Sequence, residues 1–292
     1  MDESSPGRSA PPLADSLMAK QRTAVADVYR RFGERVREVL GKRITLVESP
    51  HFLIWTDWSA RDRGRLPDWC EAMYAALCRQ FGIDPTEPVF PAGCPLFCFE
   101  SEKRFRRFAR EFDGYGGLDA VGYTRSIPEN GHVHVVLLRK GRTPEDFDRF
   151  ACTLVHEGTH AFLHRLFTTR LIPHWVNEGI AEMMTERVLG DRCPAGEKAD
   201  LLARQYARYD WPVGDWVRRA GPIEVHEYPL ACSLVTFLEG QGTERFRAFV
   251  RDLKNGESLE AALARRYDGW SMETFLRRWR EHVRRDGSPA KP

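Results

Sequence analysis

His156-Glu157-Gly158-Thr159-His160 lies in the middle of the strongest helical pattern in the chain. Upstream, Thr143-Pro144-Glu145-Asp146 reads as a helix start, with a capping hydroxyl, proline in the first turn and two acids against the positive end of the dipole. From there Phe147, Phe150, Ala151, Leu154, Val155, Phe162 and Leu166 recur at helical spacing, so one helix is predicted to run to about Phe167. The four-residue interval stacks the imidazoles of His156 and His160 on one face, about one turn apart, as a two-point metal clamp. Glu157 lies about 100° round the helix from His156, too far round to join the clamp but within reach of a water held there. It therefore reads as a general base and not as a ligand.

A second segment, Trp175-Val176-Asn177-Glu178-Gly179-Ile180-Ala181-Glu182, places two carboxylates four residues apart on the next predicted helix, from about Pro173 to Gly190. A short reversal would bring that face against the histidines. Catalytic zinc typically takes three protein ligands and keeps a fourth position open. One carboxylate would complete the set, and the other can accept a hydrogen bond from the outer nitrogen of a ligand histidine. Each segment alone has a plainer reading as polar positions on a helix; the conjunction of the two favours a metal.

Other histidines and cysteines fit less well. His164 continues the stripe, but eight residues of helix span about 12 Å, so His156 and His164 cannot both bind one ion and His164 is read as a bystander. The metzincin pattern needs a third histidine where this chain has Leu166. His132 and His134 fall on one face of the strand 132–138, read as an edge strand with a polar outer face. Cys94 and Cys98 have no second ligand pair and are read as alternating strand positions.

The sequence His156-Glu157-x-x-His160, followed by Asn177-Glu178-Gly179-x-Ala181-Glu182, resembles the gluzincin metallopeptidases. The likeness is to the peptidase MA-like domains of many bacterial proteins in particular, and it runs from the strand around Phe52 to Leu238. It implies a zinc-dependent enzyme acting on a peptide or protein substrate. Zinc would sit on His156, His160 and Glu178, with Glu157 as general base and Glu182 supporting the ligands alongside Asn177 of the same motif. The stretch from His226 to Val235 resembles the family's tyrosine-bearing helix start, which implies Tyr228 as the donor to the oxyanion and His226 as second choice. The Gly-x-Met-Glu-Asn segment by which the clan's aminopeptidases hold a free amine does not occur, so endopeptidase action is expected over aminopeptidase action. Two readings of other classes are a zinc-stabilised binding or scaffold protein without activity, and a purely structural helical protein without metal.

Composition narrows the partners. Across 292 residues, 44 Lys and Arg nearly balance 42 Asp and Glu, and a net charge of +2 demands neither nucleic acid nor an anionic membrane. No apolar run approaches bilayer length, and Met1-Asp2-Glu3-Ser4-Ser5-Pro6-Gly7 lacks the basic start and apolar core of a secretory signal. Seven scattered cysteines suit reduced thiols, so a soluble cytoplasmic chain is expected.

The expected fold is α+β. Residues 1–13, rich in Ser, Pro, Gly and Ala, read as a flexible lead-in, and 14–42 as an N-terminal helix. Residues 43–240 would form a zincin-like core in which a small mixed sheet with an edge strand packs on helices, and 241–286 a helical C-terminal extension. Strands are placed in Ile44 to Thr56, Leu96 to Phe99 and 132–138, with helices at 66–81 and about 101–112 and a loop from Gly114 to Gly122. Further helices are expected at 197–208, 228–239, 243–254, 257–266 and 271–285.

Overall fold

The computed structural model describes residues 13–117, 119–193, 195–209 and 211–286. The lead-in expected at 1–13 lies outside the described residues except for Leu13, which opens helix α1 (Leu13–Leu40). The strand-rich stretch after it is two strands, β1 (Thr45–Glu48) and β2 (Phe52–Thr56), paired antiparallel about a turn closed by the Ser49 N–H on the Phe52 carbonyl at 3.0 Å. The short α2 (Ala60–Arg63) and the longer α3 (Arg65–Phe81) then lead to β3 (Cys94–Phe99), which lies parallel to β2. Next come α4 (Glu102–Asp113), β4 (Gly122–Ile127) and β5 (His132–Leu138).

The strand order is β1-β2-β3-β5-β4, with β5 parallel to β3 and antiparallel to β4. This corrects the expectation that 132–138 forms the edge: β5 is internal, and β4 is the edge on that side. Val133, Val135 and Leu137 are buried on one face and His134, Val136 and Leu138 on the other, as in a strand covered on both sides, and β4, which the sequence pattern did not reveal, pairs its outer edge. The expected polar outer face is corrected with it. His134 is only 2 % exposed; its Nε2 donates to Asp113 Oδ2 at 3.0 Å, its Nδ1 pairs with His132 Nε2 at 2.9 Å, and the Tyr123 hydroxyl donates to the same Asp113 oxygen at 2.7 Å.

Each face of the sheet has its own cover. On one, α1 and α4 bring Val36, Leu40, Phe105 and Phe108 against Trp55, Phe97, Phe99, Val136 and Leu138. On the other, α3 and α5 (Pro144–Arg165) pack Met73, Leu77, Leu154 and Phe162 over Ile54, Leu96, Val135 and Leu137. The larger core continues from there into α6 (His174–Leu189), α7 (Ala195–Arg208), α8 (Val213–Arg218) and α9 (Tyr228–Gly240). It extends through α10 (Thr243–Lys254), α11 (Leu259–Arg266) and α12 (Met272–Asp286), whose Phe246, Phe249, Leu263, Phe275 and Trp279 are all buried. Polar contacts tie these last helices in: Trp279 Nε1 donates to Ser233 Oγ at 3.0 Å and the Tyr267 hydroxyl to the Leu238 carbonyl at 3.2 Å. No helix of the described residues is long and apolar enough to cross a membrane.

Candidate active site

Helix α5 starts where its sequence says it should. The Thr143 hydroxyl accepts from the Asp146 N–H at 3.3 Å and Asp146 Oδ2 accepts from the Thr143 N–H at 3.0 Å, a reciprocal capping box. It ends at Arg165, short of Phe167, which takes a left-handed φ of 62° and turns the chain towards α6. Lys254, at the end of α10, holds that turn by donating from Nζ to the carbonyls of Leu163 (2.7 Å) and Arg170 (2.6 Å).

The reversal seats α6 against both α5 and α9. At Gly179 the approach to α9 is so close that a Cβ would stand 2.4 Å from the Ala231 carbonyl oxygen and 2.6 Å from Val235 Cγ2. With Trp175, Val176 and Ile180 buried on the inner side, Glu178 and Glu182 face α5.

There the three predicted ligand side chains meet. Glu178 Oε2 lies 3.2 Å from His156 Nε2 and 3.3 Å from His160 Nε2, and those two nitrogens are 3.1 Å apart. No N–H of either ring is aligned on this buried oxygen, so among the described residues Glu178 Oε2 has no hydrogen-bond donor. An ion with bonds of about 2.0–2.1 Å at tetrahedral angles has its donor atoms about 3.3–3.4 Å apart, close to the sides of this triangle. Three lone-pair atoms converging on one point, one of them an orphaned carboxylate oxygen, fit a bound cation. Among the described residues this is the one group of three or more His, Cys, Asp or Glu side chains with that convergence.

The surroundings supply negative potential. Burial lowers the basicity of His156, but contacts with Glu178 and Glu182 and the nearby charge of Glu157 outweigh it and raise its pKa to about 10. Burial likewise opposes ionisation of Glu178, yet His156 and His160 hold its carboxyl well below the ordinary range. Glu182 Oε1 meets the outer nitrogen of His156, Nδ1, at 3.0 Å, the contact that fixes which ring nitrogen faces the triangle.

Glu157 lies beside the triangle in the cleft wall, and it has a partner that sequence reasoning missed. The Thr124 hydroxyl, on β4, is 2.8 Å from Glu157 Oε2 and 2.8 Å from the Glu157 carbonyl oxygen. β4 approaches α5 this closely because Gly122 has no side chain; a Cβ there would meet Thr153 Cγ2 at 2.4 Å. The signal that could have found the strand was present: Tyr123, Thr124 and Ile127 favour strands, and Asn130-Gly131 before β5 is a hairpin turn pair.

Tyr228, at the start of α9, stacks its ring on His156 at 5.8 Å between centroids and 10° between planes. Burial, and then the charges of Glu178, Glu157 and Glu182, push its hydroxyl pKa up, so it keeps its proton. His226 is not brought to the cleft wall: it is exposed on a short 3-10 turn, where the side chain of Glu227 folds back to accept from the Glu224 N–H at 2.7 Å. Asn177 lines the cleft one residue before Glu178, without a side-chain hydrogen bond to the histidines. His164 stays clear of the triangle, as its spacing requires.

Comparison of the chain with protein-family models and with curated proteins finds no match. The chemistry of the site therefore rests on its own geometry: three converging atoms that fit a cation, an adjacent carboxylate beside a hydroxyl, and a protonated phenol stacked on His156.

Proposed function

We propose that this chain is a zinc-dependent metallopeptidase of the gluzincin type that cleaves internal peptide bonds. The observation that carries the reading is the triangle of His156 Nε2, His160 Nε2 and Glu178 Oε2, with sides of 3.1 to 3.3 Å, and Glu157 beside it. Those three side chains would hold the ion. Zinc bound there would supply Lewis acidity for a peptide carbonyl and bring the pKa of water down to about 7.

The chain's own residues then divide the work. Glu157 takes the proton from the attacking water and returns it to the leaving amine, and the Thr124 hydroxyl at its Oε2 orients the carboxylate. Glu182 locks the ring of His156 through Nδ1. The Tyr228 hydroxyl donates to the carbonyl oxygen as it gains negative charge. The outer edge of β4 runs along the same cleft, so an extended substrate would add there as a further strand.

The test uses full-length protein purified without chelators, an internally quenched peptide and an aminoacyl reporter amide. Wild type is expected to cleave the quenched peptide, while Glu157→Gln binds zinc and does not. Equal hydrolysis by both would overturn the reading, and cleavage of the reporter amide alone would assign an aminopeptidase.

A further inference from the structure

The cleft, a space of about 880 Å³ open to solvent, continues past the ligands along α5 to His164 and the connection between α5 and α6. The two ends differ in charge. The carboxylates that line it, Glu157 and Glu178, both belong to the triangle end, whereas the far end is walled by His164, Arg170, His174 and Lys254. We propose that this far end is a carboxylate-binding subsite, formed by Arg170, His164 and the first turn of α6; it rests on the peptidase reading and names the class of substrate.

His164 is the observation that asks for a ligand. It is 4 % exposed, and neither ring nitrogen has a hydrogen-bond partner among the described residues. Buried polar groups in folded proteins are almost always paired. Burial, with the charges of Lys254 and Arg165, lowers its pKa to about 4, so at neutral pH the ring carries one N–H with nothing to receive it.

Three further features fix the sign of the missing partner. The Arg170 guanidinium is exposed, lies against Gly256 and forms no ion pair among the described residues, so its planar fork is free for a planar anion. Lys254 is 1 % exposed and has spent its protons on the Leu163 and Arg170 carbonyls, which leaves it as a fixed positive charge behind the wall. Helix α6 presents its positive end there with Pro173 as an N-cap that makes no side-chain bond and with no acid in its first turn.

Position follows from helix geometry. His164 is one turn beyond His160, about 6 Å along α5, which is roughly two residues of extended peptide at about 3.3 Å each. The carboxylate read here is therefore about two residues from the bond cleaved. It is either the substrate's own C-terminus or the side chain of an aspartate or glutamate.

The experiment uses a neutral, N-acetylated six-residue peptide in three forms: amidated with a single glutamate moved through its last three positions, amidated with glutamine there, and glutamine-containing with a free C-terminus. Binding to zinc-loaded Glu157→Gln protein is measured by calorimetry, and hydrolysis by wild type is followed in parallel. At least tenfold tighter binding of one carboxylate form over the uncharged peptide is expected, lost when Arg170→Glu is added; the form preferred identifies the source. Equal binding of all three forms, or a preference that survives Arg170→Glu, overturns the subsite. If wild type cleaves no form but the Arg170-dependent preference persists, the peptidase reading falls and the subsite stands; equal cleavage and binding of all three does the reverse.

Discussion

The hydroxyl of Thr124 and the carboxylate of Glu157 are 2.8 Å apart, although one lies on the edge strand and the other in the middle of α5. A hydrogen bond to a charged group contributes about 1.5–3 kcal/mol, and here it also favours one rotamer of the proposed base. Thr124→Val keeps the shape and removes the donor. Its kcat is expected to fall roughly 10- to 100-fold with little change in KM, and Thr124→Ser is expected to recover most of the loss. Steady-state kinetics on a quenched peptide check both; an unchanged kcat in Thr124→Val contradicts the role.

Gly179 sets the distance between α6 and α9, and so between Glu178 and Tyr228. Alanine in a helix interior gains about 1 kcal/mol over glycine. Overpacking a core costs about 1–3 kcal/mol, and the obstacle here is the Ala231 carbonyl, which cannot move without its helix. Gly179→Ala is therefore expected to lower stability by up to about 2 kcal/mol net, read from urea unfolding midpoints at constant m-value.

Much of the candidate site was legible because its decisive relationships are local. The interval between His156 and His160, the cap at Thr143 and the pair Glu178 and Glu182 each depend only on helical periodicity. β4 escaped because its six residues are all half-buried and show no apolar alternation. Its absence from the reading made β5 look like an edge. His134 looked like a solvent-facing residue because its acidic partner, Asp113, comes from an element 21 positions away, which no local pattern reports. The link from Lys254 to the carbonyls of Leu163 and Arg170 was hidden for the same reason: it joins the far end of α10 to the turn that aims Glu178.

Glu71 offers a test of stability against pH. It accepts from Ser49 Oγ at 2.6 Å and from the His51 N–H at 2.9 Å, and meets His51 Nδ1 at 2.6 Å, pinning the β1–β2 turn to α3. Burial disfavours its charge, but these contacts hold its pKa below the ordinary 4.5. The unfolded chain therefore takes up more protons than the folded one as pH falls below 4.5, and the stabilisation, complete above that value, is lost in this window. Glu71→Gln is expected to cost about 1–2 kcal/mol at neutral pH, with the gap to wild type closing under acid. Urea unfolding of both proteins from pH 3 to 7 checks it, and a constant gap contradicts it.

The proposed metal centre is tested most directly by elemental analysis of the full-length protein purified without chelators, together with His160→Ala. About one zinc per chain is expected in wild type, falling to a small fraction in the variant while its far-ultraviolet circular dichroism is retained. A folded wild type that carries no metal, or a variant that keeps its full zinc, contradicts the account.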